Sequence, residues 1–367
     1  MRIRLAVCIA LAIAVLAGLP AFAAADPCAG NPVSTSFGQS FPSAGPPVTR
    51  WEGTVCSVGK YGLALGITRF RTSPSATFVR MLQDARVSEI YVSYHDGLSF
   101  FDIEGFSSGL LTLNTTDCPP ALGTLVLGNL ACLEVRDRGL AYRTGSASRR
   151  GEELVLWGVN VSANYKYVIE WRLRDDGVIT GRLGATGENL ASHHDIPHVH
   201  LVTWRLDLDV AGSSGDTVRE STHVESSSDV TSHDTFRVVG VEGGRAWSAT
   251  GFRYWHISDG TRRNAQGHLT ALRLIPSRQG IARLGHLYTL SDLWVTRGGP
   301  GKEAQTVAQQ LPAYVNGEAV TGANVVVWYS TPIHHVPRDE DDLGATQLMW
   351  AEFSLVPENL FNASPLP

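Results

Sequence analysis

Apolar and polar residues alternate with a period of two along much of this chain. In Tyr165–Arg174, Tyr165, Tyr167, Ile169, Trp171 and Leu173 share one face, and Lys166, Glu170, Arg172 and Arg174 share the other. Successive strand side chains point to opposite faces, so the pattern predicts a half-buried strand. The turn residues Asp175-Asp176-Gly177 close it. Residues 198–210 predict a second long strand. Residues 325–329 predict a third, with an unbroken apolar run that implies burial. Helical periodicity is scarce, and its best stretch is short, near 304–310. Residues 26–50 are rich in Pro, Gly and Ser and predict an irregular leader, while the polar stretch 211–235 predicts a surface loop. The fold class expected is mainly β: one large antiparallel β-sandwich over residues 51–367.

The N-terminus has the pattern of a processing signal. Arg2 and Arg4 precede an apolar run, and Ala21-Phe22-Ala23 offers a small-x-small cleavage site, so residues 1–25 are expected to be a secretory signal peptide. The expected location is secreted or periplasmic, with no later span long enough for a membrane. Four cysteines remain after the signal: Cys28, Cys56, Cys118 and Cys132. An even count in an exported chain favours two disulfides. Of three possible pairings, nearest-neighbour Cys28–Cys56 and Cys118–Cys132 is the one expected. The formal charge is −5 with only 18% charged residues and no basic stripe, which argues against a nucleic-acid partner. The 37 glycines fit many short strands and turns.

Candidate chemistry begins with His198 and His200. On a strand, residues i and i+2 point the same way about 7 Å apart, so both imidazoles can reach one ion. Imidazole suits copper, zinc and iron alike, and two packed histidines fit the pattern equally. Asp207 and Asp209 continue the same strand and fall on the opposite face by parity. Their carboxylates suit a separate hard ion such as calcium, or an exposed acidic face.

Longer runs carry a resemblance. NYKYVIEWRLRDDGVITGRLGATG, HVHLVTWRLDLDV and NVVVWYSTPIHHVPR, with FFDIEGFSSGL and ARVSEIYVSYHDG before them, resemble segments of the copper amine oxidases in colinear order. The match runs from about Trp51 to Pro365 and covers that family's catalytic domain. By position, the resemblance implies that Tyr165 is the precursor of topaquinone, a redox cofactor made from a tyrosine of the chain, with Asn164 holding it. It implies His198, His200 and His335 as Cu(II) ligands, Asp102 as catalytic base, and Tyr94 as a hydrogen-bond partner of the cofactor. It implies a peripheral Ca2+ site at Asp207, the Leu208 carbonyl and Asp209, and a Cys118–Cys132 disulfide. The activity implied is oxidative deamination of a small primary amine by dioxygen, giving aldehyde, ammonia and hydrogen peroxide, in a homodimer. The alternative is a catalytically inactive descendant that binds copper or acts at a surface. Val161 and Lys166 depart from the family pattern, which has Thr and an acidic residue there.

Overall fold

Two antiparallel sheets pack face to face. The computed structural model describes residues 26–366 apart from 213–214, 225–232, 247, 249–250, 277–283, 300–306 and 344–345. Residues 1–25, the expected signal peptide, lie outside the described residues. Ten described strands form one sheet and eleven form the other. At the middle of the first, the strand His198–Asp207 lies between Asp84–Tyr94 and Val325–His335. In the second, the hairpin of Ser148–Ser162 and Tyr165–Arg174 continues into Ile179–Gly187.

The alternation along Tyr165–Arg174 has the predicted effect. Tyr167, Ile169, Trp171 and Leu173 are buried, and Lys166, Arg172 and Arg174 keep partial access to solvent. Facing sheets stand about 10 Å apart, so large side chains from both must interdigitate. Trp171 meets Trp204 edge-on at 5.1 Å between ring centroids, and Phe353 meets Trp204 at 5.4 Å. Gly177 closes the predicted turn with φ of 86°, a left-handed conformation that favours glycine.

Three expectations need correction. The stretch 26–50 is not irregular throughout: Ser34–Phe41 forms a strand that pairs with Thr49–Ser57 along its length. Backbone pairing overrides its turn-rich composition. The stretch 211–235 is not simply a loop. Asp216–Val224 is a strand that pairs with His233–Val238 and with Phe252–Arg263. Its core-facing positions are Asp216, Val218 and Glu220, all buried, so the period of two is hidden because two of the three are acidic. The helical stretch near 304–310 lies partly outside the described residues. Its described end is a single 3-10 turn, Ala308–Gln310, which leads into a short helix, Leu311–Tyr314.

Both nearest-neighbour disulfides form. Cys28–Cys56 spans 28 residues of sequence and fastens the N-terminal segment to the sheet, and Cys118–Cys132 spans 14. Replacing Cys28 and Cys56 together by Ala should lower the unfolding free energy by about 3 kcal/mol, measured by denaturant titration under oxidising conditions.

Candidate metal centre

Strand register assembles the site. In the first sheet His198 pairs with Tyr94 on one side and with His335 on the other, so these three residues form one row across three strands. His200 sits two residues further along, on the same face. The three histidines are buried, and one ligand atom from each lies within 4.8 Å of the others. They are the only group of three or more His, Cys, Asp or Glu gathered in this way among the described residues.

The distal hydrogen bonds fix which nitrogen of each ring faces inward. His198 Nδ1 donates to the Ile196 carbonyl at 2.9 Å, which leaves Nε2 with a lone pair. His335 Nε2 lies 3.4 Å from Asp341 Oδ2, and a carboxylate must accept, so the lone pair is on Nδ1. Asp341 is itself held well below the usual carboxylate range, chiefly by its hydrogen bond from the Arg338 guanidinium, with Nη2 at 2.7 Å. His200 Nδ1 is bonded to Tyr167, and its Nε2 is buried with no hydrogen-bond partner. Burial lowers the pKa of all three rings, His198 to about 4 and His200 well below its ordinary value. Three neutral imidazoles with converging lone pairs, one of them an orphaned buried atom, fit a borderline metal ion such as Cu(II).

Tyr165 reaches this row from the opposite sheet. Its hydroxyl is 2.8 Å from His198 Nε2 and 3.1 Å from His335 Nδ1, the two inward nitrogens, and 3.3 Å from Asn189 Oδ1. Burial pushes its phenol far above the ordinary value. Tyr165 begins its strand directly after a tight turn at Ala163-Asn164. Asn164 Nδ2 donates to the Glu188 carbonyl at 2.7 Å and so ties that turn to the next strand. Gly187 makes the close approach possible: a Cβ there would stand 2.5 Å from the Asn164 carbonyl oxygen. Lys166 points to the other face, as parity requires, and its Nζ donates to the Ala163 carbonyl at 3.0 Å.

Asp102 opens the short helix Asp102–Phe106. Its backbone carbonyl accepts from Ser162 Oγ at 2.8 Å, and Glu89 Oε1 from beneath accepts the Ile103 N–H at 2.8 Å. The Asp102 carboxyl is buried, and desolvation raises its pKa to about 7 against the opposing effect of a Tyr167 hydrogen bond. Asp102, Tyr94, Asn164 and Tyr165 line one cavity of about 90 Å3, walled on its apolar side by Phe100 and Leu190. Tyr94 stacks on His198 with ring centroids 4.3 Å apart.

The sequence singled out every residue of this row, and the structure brings them together. It missed three contributors. Tyr167 appeared there as a core aromatic, although its two-residue spacing from Tyr165 places both on the cavity face. Asp341 stood in an acidic run without pattern, and Asn189 in a loop. The carboxylates of the Asp207–Leu208–Asp209 run are buried and do not form an exposed acidic face. Asp209 Oδ2 pairs with Arg80 at 3.1 Å, and Arg205 Nη2 lies 3.8 Å from Asp207 Oδ2.

A family model described as copper amine oxidase, enzyme domain, matches residues 133–366. The peroxisomal copper-containing diamine oxidase 1 of Nicotiana tabacum is 25% identical over 289 residues, covering 65% of this chain and 37% of that protein. Primary amine oxidase 2 of Arabidopsis thaliana is 22% identical over 389 residues, covering 86% and 57%. Among solved structures, a copper-containing benzylamine oxidase from Hansenula polymorpha superposes with a TM-score of 0.70 at 20% identity, covering 86% of this chain and 59% of that one. The Aspergillus nidulans amine oxidase gives 0.69 at 18%, covering 89% and 55%. The chain spans about half the length of the relatives and structures it matches.

Metal titration tests the centre. The apo protein should bind one equivalent of Cu(II). Asp341→Asn should weaken that binding by about 10–100-fold, as loss of an outer partner does, and His200→Ala by more, read by competition with a chelator.

Proposed function

Because the chain belongs to the copper amine oxidase family, we propose that it oxidises a primary amine with dioxygen, releasing aldehyde, ammonia and hydrogen peroxide. His198 Nε2, His200 Nε2 and His335 Nδ1 would hold copper, and Tyr165 would be the precursor of topaquinone. The observation that carries this reading is the Tyr165 hydroxyl, within 2.8 Å and 3.1 Å of two inward imidazole nitrogens. Of the two stacked tyrosines only Tyr165 touches that side of the rings; Tyr167 bonds to the distal nitrogen of His200. When formed, the cofactor supplies an electrophilic carbonyl that accepts electrons from the amine, and copper assists its formation and reoxidation by dioxygen.

The chain's own residues supply the rest. Asp102 faces the cavity that holds Tyr165 and removes a proton from the carbon bonded to the amine nitrogen. A carboxylate with an ordinary pKa is a weak base, and burial brings Asp102 close to neutrality, where it accepts a proton more readily. Asn164 holds the turn that aims Tyr165, and Tyr94 contributes a hydroxyl toward the oxidised ring. Phe100 and Leu190 exclude water around the reacting carbon. Lys166, on the far face, leaves the ring free to react. Export as a homodimer belongs to the same reading, and two disulfides are consistent with an oxidising compartment.

Mass analysis of the Tyr165 peptide after aerobic incubation with copper should show two added oxygen atoms and two lost hydrogens. An unmodified peptide from copper-loaded protein, without peroxide production from any amine, would favour the inactive alternative. Because the base must be ionised, kcat/KM should fall as pH drops through about 7, the value to which Asp102 is raised. Asp102→Asn should remove most of the activity, and the profile of what remains should lack that limb.

A further inference from the structure

Tyr167 is wholly buried, and its hydroxyl sits between Asp102 and His200. We propose that Tyr167 is a positioning residue shared by the metal centre and the carboxylate. One hydroxyl sets the tautomer of His200 and fixes the place of Asp102, so the two are coupled. The inference rests on the reading of the three histidines as copper ligands.

Proton counting carries it. A phenol has one hydrogen to give. Asp102 Oδ2, at 2.5 Å, takes it. The phenol oxygen must then accept from its second neighbour, His200 Nδ1 at 2.9 Å, which therefore carries a hydrogen. In a neutral imidazole that leaves the lone pair on Nε2, the buried atom without a partner that a metal needs. If Tyr167 turned its hydrogen to Nδ1 instead, the single hydrogen of the neutral imidazole would sit on Nε2 and block the metal. The carboxylate thus keeps the His200 tautomer correct without touching the ring. His198 and His335 are set by partners outside this link, the Ile196 carbonyl and Asp341.

The arrangement also explains why phenylalanine at 167 is the informative change. The Tyr167 ring stacks on that of Tyr165 with centroids 5.9 Å apart and planes 15° from parallel. Tyr167→Phe keeps this packing and removes only the oxygen. Phenylalanine leaves the metal-competent tautomer of His200 with a buried Nδ1 hydrogen that has lost its acceptor, so that tautomer is no longer favoured.

The test is Cu(II) binding to apo protein by chelator competition, with the electron paramagnetic resonance spectrum of the bound ion as a second readout. Tyr167→Phe should weaken Cu(II) binding by about 10-fold or more and change the spectrum. Asp102→Ala, which removes a residue that donates no ligand atom, should also weaken binding, and this effect should vanish when Tyr167 is already Phe. Unchanged affinity and spectrum in Tyr167→Phe would overturn the proposal, as would an Asp102→Ala effect that persists in full beside Tyr167→Phe. Should Tyr167→Phe fail to fold, Asp102→Ala alone decides: weakened copper binding supports the link and unchanged binding overturns it. Wild-type protein that binds no copper would overturn the functional reading and this inference together. Wild-type binding with indifferent variants would overturn this inference alone.

Discussion

The site depends on two strands in opposite sheets that share one period. Tyr165 and Tyr167 descend from one sheet, two residues apart. His198 and His200 rise from the other, also two residues apart. The Tyr165 hydroxyl meets His198, and the Tyr167 hydroxyl meets His200. A strand shifted by one residue turns every side chain to the other face. Such a slip in Tyr165–Arg174 would send Lys166 and Val168 into the cavity and both tyrosines out. The core therefore guards the chemistry: Trp171, on the same face as the tyrosines, is locked against Trp204, on the same strand as the histidines.

Burial then sets the reactivity. Water is excluded from around three imidazoles, two phenols and a carboxyl, and each charged form becomes harder to hold. The rings stay neutral and available as ligands, and Asp102 is raised to about 7. Such a cluster would be costly if its polar atoms lacked partners. Here the distal nitrogens of the imidazoles have acceptors, and the atom left over, His200 Nε2, is one a metal can satisfy. A second carboxyl lies below. Glu89 accepts the backbone N–H groups of Ile90 and of Ile103, the latter at the start of the Asp102 helix, and burial raises it to about 8. Buried carboxyls thus serve at two levels, one facing the cavity and one supporting the backbone that presents it.

Much of this was legible in the chain, and the misses have specific causes. The strand Tyr165–Arg174 announced itself through five apolar residues on one face. The strand Asp216–Val224 did not, because its inward positions include Asp216 and Glu220 and its flanks are polar. Ser34–Phe41 was hidden by neighbouring Pro and Gly, although its pairing with Thr49–Ser57 is complete. Asp341 could not have been chosen from its acidic run, since only the fold carries it to His335.

What the sequence determined by itself was the alternation, and with it which residues of each strand share a face: Tyr165 with Tyr167, His198 with His200, and Lys166 apart from both. That information is local, because backbone geometry alone imposes a period of two. Tertiary structure decided which faces meet. Register placed His335 and Tyr94 beside His198, the approach of the second sheet brought Tyr167 between Asp102 and His200, and Arg80 came to pair with Asp209. These contacts join residues far apart in the chain, so no local pattern encodes them. They exist only once the two sheets have buried their shared core.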